Sequence, residues 1–263
     1  MTEDATSPIP RAMSRTPLRT PPGPGADLLA IVEAMLDKQP VDPAVQARYA
    51  APKAVAARTA EAAQRQADDW PALARYRAAN AAVHQPDLVM IGDSLTELWA
   101  HALPDMFDER TINRGIAGQT SQQILLRFMQ DVVDLQPKRV HILCGGNDIA
   151  GNTGPNVPED YQRNIRAMAD IAAANGIEIL LASLTPAASV FWSPAARPLE
   201  WIPVLNDWLR DFATQRGLRF IDYHSVLADG NGALQERYSA DGVHVTRDAY
   251  RVLQGLLELE LDR

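Results

Sequence analysis

Asp241 and His244 stand three residues apart in Asp241-Gly242-Val243-His244, with a glycine between them for a turn. At that spacing the carboxylate can accept one imidazole N–H while the other ring nitrogen faces a hydroxyl. This is how a serine is activated for attack on a carbonyl. The hydroxyl candidate is Ser94, in Ile91-Gly92-Asp93-Ser94-Leu95-Thr96. An apolar, strand-like run precedes it and a helix-like stretch follows. Its Oγ would therefore stand at the carboxyl edge of a sheet, with its N–H among the unpaired amides of a helix start. A helix dipole favours negative charge there, and Gly92 would let the backbone turn tightly. The plainer reading is that Asp93 or Ser94 only caps the helix.

Two further runs offer hydrogen-bond donors for a developing oxyanion. Asn147, in Gly145-Gly146-Asn147-Asp148, carries a neutral side-chain amide at a strand end. Gly118, in Asn113-Arg114-Gly115-Ile116-Ala117-Gly118-Gln119-Thr120-Ser121, can bring its N–H close to a ligand because no Cβ intervenes. Both runs also suit ordinary turns or helix caps. Of five histidines, His84, His101 and His141 read as structural or surface residues. His224, after Asp222, is the rival base; His244 is preferred for the spacing of its Asp partner and its turn glycine.

The elements that must position these residues follow from the apolar pattern. Short runs at 88–91, 111–113, 139–143, 178–184 and 218–222 read as strands. Helical patterns lie between and after them at 120–135, 158–175, 199–216 and 246–261. Strand–helix alternation without hairpin signals predicts a three-layer α/β domain over 87–263, built on a parallel sheet with ligands at its carboxyl edge. Before it, 26–38 and the alanine-rich region 43–82, broken by Pro52 and Pro71, predict a helical N-terminal extension over 26–86. Residues 1–25 hold six prolines and few large apolar side chains, a composition expected to stay disordered.

Composition removes several function classes. A net charge of −8 argues against a nucleic-acid-binding surface. The one cysteine, Cys144, allows no internal disulfide and no thiolate metal cluster, and its apolar neighbours predict a buried, inert thiol. No metal and no cofactor are expected, and no phosphate-binding glycine loop occurs. No run reaches the length of a membrane span, and the early apolar segment lacks the features of a signal peptide, so the chain reads as cytoplasmic. Export of a longer precursor stays open.

Taken in order, Gly-Asp-Ser-Leu, Gly-Gln-Thr-Ser, Gly-Gly-Asn-Asp and Asp-x-x-His resemble the SGNH hydrolase superfamily, the GDSL esterases and lipases, over residues 87–262. The likeness is to its lysophospholipase-L1-like and platelet-activating-factor-acetylhydrolase-like branch. The resemblance implies a flavodoxin-like fold with five parallel strands. It implies Ser94 as nucleophile, His244 as general base, Asp241 orienting it, and an oxyanion hole of the Ser94 and Gly118 amides with the Asn147 side chain. The chain would be a serine esterase for small-molecule esters with short acyl groups, acetyl esters of carbohydrates or aryl esters. Lysophospholipase, thioesterase and acyltransferase activities are alternatives on the same fold, and a non-catalytic binding module is the alternative of a different class. Ile149, Trp192 and Val243 are candidates to line the substrate pocket, with core packing the competing role for Ile149 and Trp192. The N-terminal extension could cover the sheet, roof the site or make a homo-oligomer contact.

Overall fold

The computed structural model describes residues 23–262, so the Pro-rich stretch expected to be disordered lies outside the described residues as far as residue 22. The chain runs α1 (Ala26–Leu36), α2 (Pro43–Ala50), α3 (Pro52–Asp68) and α4 (Arg77–Asn80) before the first strand. It continues β1 (Leu88–Gly92), α5 (Ser94–Ala102), β2 (Thr111–Gly115), α6 (Ser121–Asp131), β3 (Arg139–Leu143), α7 (Gly146–Ala150), α8 (Pro158–Ala174) and β4 (Glu178–Ala182). The remainder is α9 (Pro198–Arg216), β5 (Arg219–Ile221), α10 (Tyr223–Leu227) and α11 (Arg247–Leu261).

All five strands are parallel, in the order β2-β1-β3-β4-β5. Alternation along each strand divides the core in two. Val89, Ile91, Val140 and Ile142 face Ile124 and Phe128 of α6, Ile165 of α8 and Leu205 of α9. Leu88, Met90 and Leu180 face Trp99 of α5 and Leu253 of α11. A sheet covered on both faces needs apolar residues at successive positions, which is why β1 reads as an unbroken apolar run. The strand order reverses beside β1, the place where doubly wound sheets open a crevice at their carboxyl edge. None of the helices among the described residues is long and apolar enough to cross a membrane.

The 43–82 region differs in detail from the sequence expectation. The helical region is interrupted at Pro52 as expected, and the helices on either side of that break each start on a proline, Pro43 for α2 and Pro52 for α3. A missing N–H costs nothing at a helix's first position. Beyond α3 the chain forms a strap, 69–80, whose main chain is held by side chains of the sheet domain. Gln119 Nε2 donates to Pro71 O at 2.9 Å, Gln123 Nε2 to Trp70 O at 2.7 Å and Gln130 Nε2 to Leu73 O at 2.6 Å. Asn80 accepts from Arg114 Nε at 2.7 Å and donates to Asp131 Oδ1 at 2.7 Å, while the Tyr76 hydroxyl donates to Gly115 O. Hydrogen bonds thus cross the expected boundary at residue 87 and reach the end of β2, the loop that carries Gly118, and α6.

Candidate active site

Ser94 is the first residue of α5, directly after β1 and Asp93. Asp93 is the N-cap: its Oδ1 accepts from Leu95 N at 3.0 Å. The capping is therefore done by Asp93 and does not occupy the Ser94 hydroxyl. The first amide of a helix has no intrahelical acceptor, so the Ser94 N–H is free for a ligand at this edge. Gly92 is needed for a reason other than the tight turn expected of it. Its φ is not left-handed, but an added Cβ would collide with Leu143 O and Thr96 Oγ1.

His244 and Asp241 lie in the loop before α11. His244 Nε2 is 3.1 Å from Ser94 Oγ, and Nδ1 is 2.7 Å from Asp241 Oδ2. Asp241 Oδ1 accepts the amides of Val243 at 2.9 Å and His244 at 2.8 Å, which fixes the carboxylate independently of the ring. Burial works to raise the Asp241 pKa, but its bond and charge interaction with His244 and those two amides outweigh it and hold the carboxyl below its ordinary value. Ser239 Oγ closes the loop by donating to His244 O at 2.7 Å.

The two expected oxyanion donors arrive from neighbouring strands. Gly118 follows β2 with φ +80°, a left-handed conformation that suits glycine; an added Cβ would meet little, so conformation sets the residue type here. Asn147 sits in α7, after β3. Its Nδ2 donates to Gln119 O at 3.1 Å and to Asp93 Oδ2 at 3.2 Å. Asp93 is 3% exposed, and burial pushes its carboxyl up to about 7 despite the Leu95 amide, His244 and Asn147. Asp148, next in sequence, accepts from Ser121 N at 2.9 Å and from Ser121 Oγ, tying α7 to the start of α6. Burial pushes its carboxyl up to about 6.

A cavity of about 40 Å³ opens beside Ser94. Ile149, Leu184, Val190, Trp192, Ile202 and Val243 are among its walls. Ile149 also lines a neighbouring cleft of about 300 Å³ with Val157, Tyr161, Trp201 and Leu205. The Trp192 indole stacks against His244, ring centroids 6.1 Å and planes 23° apart.

Asn152 escaped the sequence reading. Its Nδ2 donates to Asn147 Oδ1 at 2.7 Å and to Gly118 O at 3.0 Å, and its Oδ1 accepts from Trp192 Nε1 at 2.9 Å. It belongs to no local motif, and only its position five residues after Asn147 hints at a partnership. The other histidines sit elsewhere in the network. His141 is buried beside Tyr223, and burial pushes its pKa down to about 3, which keeps it neutral. His224 donates its main-chain N–H to Ser183 Oγ at 2.9 Å. Cys144 is buried, and burial raises its thiol well above the ordinary value, leaving it unreactive.

Residues 90–252 match the GDSL-like lipase/acylhydrolase family. Among solved structures, the chain is similar to a GDSL-like lipase from Bacteroides thetaiotaomicron, at 36% identity and a TM-score of 0.71, covering 74% of this chain and 98% of that one. A Bacteroides fragilis protein described as an acylhydrolase is similar at 39% identity and a TM-score of 0.72, with coverage of 74% and 98%. The thioesterase 1/protease 1/lysophospholipase L1 of Escherichia coli is 33% identical over 125 residues, covering 44% of this chain and 57% of that protein.

Proposed function

We propose that this chain, which belongs to the GDSL-like lipase/acylhydrolase family and is a carboxylic ester hydrolase, cleaves short-chain esters with Ser94, His244 and Asp241 as its triad. The observation that carries the short-chain reading is the 40 Å³ cavity beside Ser94. By the same measure one water occupies roughly 10–15 Å³, so the space beside Ser94 suits an acetyl-sized group. Acetyl esters of carbohydrates and aryl acetates carry an acyl group of that size.

The chemistry follows from the row of hydrogen bonds. Neutral His244 donates its Nδ1–H to Asp241 and accepts the Ser94 hydroxyl proton at Nε2 as Oγ attacks the ester carbonyl. The carbonyl oxygen gains the charge and is met by the Ser94 and Gly118 amides and Asn147 Nδ2. His244 then returns the proton to the departing alkoxide, leaving an acyl group on Oγ. A water gives its proton to Nε2, attacks that acyl group, and releases the acid as Oγ recovers its proton. Each oxyanion donor is typically worth about 10²–10³ in rate.

A second reading, a thioesterase or lysophospholipase for longer chains, draws on the 300 Å³ apolar cleft beyond Ile149. Hydrolysis of p-nitrophenyl esters from acetate to octanoate separates the two. The short-chain reading expects kcat/KM to be highest on acetate and to fall steadily with length. A maximum at hexanoate or octanoate would overturn it in favour of the second.

A further inference from the structure

We propose that Asn152 is a positioning residue that fixes which way the Asn147 amide faces, taking its own orientation from Trp192. The proposal rests on the oxyanion role given to Asn147 above. An amide's oxygen and nitrogen are nearly the same size, so its orientation is decided by the donors and acceptors around it. The Trp192 indole N–H can only donate, which makes the atom it meets at 2.9 Å the Asn152 oxygen. The Asn152 nitrogen then faces the other way, toward Asn147 at 2.7 Å and Gly118 O at 3.0 Å. Gly118 O can only accept, so both ends of Asn152 demand the same orientation.

The consequence passes one residue further. With a nitrogen against it, Asn147 presents Oδ1 to Asn152 and turns Nδ2 toward Gln119 O and Asp93 Oδ2, the N-cap carboxylate next to Ser94. One side-chain amide therefore joins the two residues proposed as oxyanion donors to the aromatic ring that stacks on His244. The main chain reinforces the pair, since Asn152 N donates to Asn147 O at 3.1 Å. Asn152 lies at the exposed rim of the site. Water can therefore stand in for a missing amide, and truncation is a weaker test than reversal of polarity.

The decisive substitution is Asn152→Asp, assayed with p-nitrophenyl acetate beside the wild type, Ser94→Ala, Asn152→Ala and Trp192→Phe. A carboxylate cannot donate to Asn147 Oδ1, so the Asn147 amide is drawn round and its nitrogen leaves the oxyanion side. The expected result is a fall in kcat of about 10²-fold for Asn152→Asp, the scale of one lost oxyanion donor. A smaller fall, about three- to tenfold, is expected for Asn152→Ala and Trp192→Phe, the scale of one lost hydrogen bond, with KM within about threefold in all three. A general packing defect would not produce that kcat-only pattern or that rank order. If Asn152→Asp fails to fold, the proposal stands or falls on kcat in the other two. Wild-type kcat in the folded Asn152 variants, or a rise in KM with kcat unchanged, overturns the positioning role while leaving the esterase reading intact. Full activity in Ser94→Ala would instead sink the esterase reading, and this inference with it.

Discussion

Asp241 holds His244 by two routes at once: Oδ2 bonds the ring Nδ1 at 2.7 Å, while Oδ1 accepts the residue's own main-chain N–H at 2.8 Å. The second bond anchors the carboxylate even when the first is altered. Asp241→Asn should therefore leave the loop in place and chiefly disturb the imidazole tautomer. The expected effect is a loss of about 10³–10⁴ in kcat with KM little changed, by analogy with the same change in other serine triads. Steady-state kinetics on p-nitrophenyl acetate checks it. A loss under tenfold would mean that Asp241 does not orient the base.

Ile149 is the residue common to the small cavity and the larger cleft. Ile149→Ala removes the shared wall, so the acyl-length preference should move from acetate toward butyrate and hexanoate. The substitution should also cost about 1–2 kcal/mol of stability, because Ile149 is partly buried against the core. The ratio of kcat/KM on hexanoate to that on acetate is the measurement. An unchanged ratio in a folded variant would show that the two spaces do not communicate through this side chain.

Asp93 makes stability depend on pH with a definite sign. In the folded chain it keeps its proton up to about pH 7, against an ordinary value of 3.8. Between those values the folded state binds more protons than the unfolded one, so this group's contribution to stability falls as pH rises. Asp93→Asn removes that dependence. The Tm of the variant minus that of the wild type should be more positive at pH 8 than at pH 4.5, whatever the absolute values. An equal difference at both pH values would mean that the carboxyl titrates normally.

The strap predicts that a cut at residue 87 is too late. Deleting residues 1–86 would leave Gln119, Gln123, Gln130 and Arg114 without their partners at 70–80. At about 1 kcal/mol for each hydrogen bond, the loss should lower Tm by on the order of 10 °C. Activity should fall too, since Gln119 follows Gly118. Wild-type Tm and kcat in the truncated protein would show that the sheet domain stands without the strap.

The contrast between β1 and Asn152 shows what the sequence could and could not disclose. Leu88-Val89-Met90-Ile91 announces a doubly covered strand because burial on both faces writes itself into consecutive residues. Ser94, Gly118 and Asn147 follow such runs and Asp241-x-x-His244 precedes the last helix, so each sits where strand ends and a turn must bring them. Asn152 and the strap leave no comparable trace. Their partners are side chains tens of residues away, such as Gln119 for Pro71 and Trp192 for Asn152, and such bonds impose no period on the chain.

The central claim is that Ser94 is the nucleophile, and labelling with a fluorophosphonate followed by peptide mass spectrometry tests it most directly. A nucleophilic Ser94 gives one stoichiometric adduct on its own peptide, absent in Ser94→Ala and formed at least about 10²-fold more slowly in His244→Ala, with hydrolysis lost in step with labelling. An adduct on another residue, or hydrolysis that survives complete modification of Ser94, would contradict it.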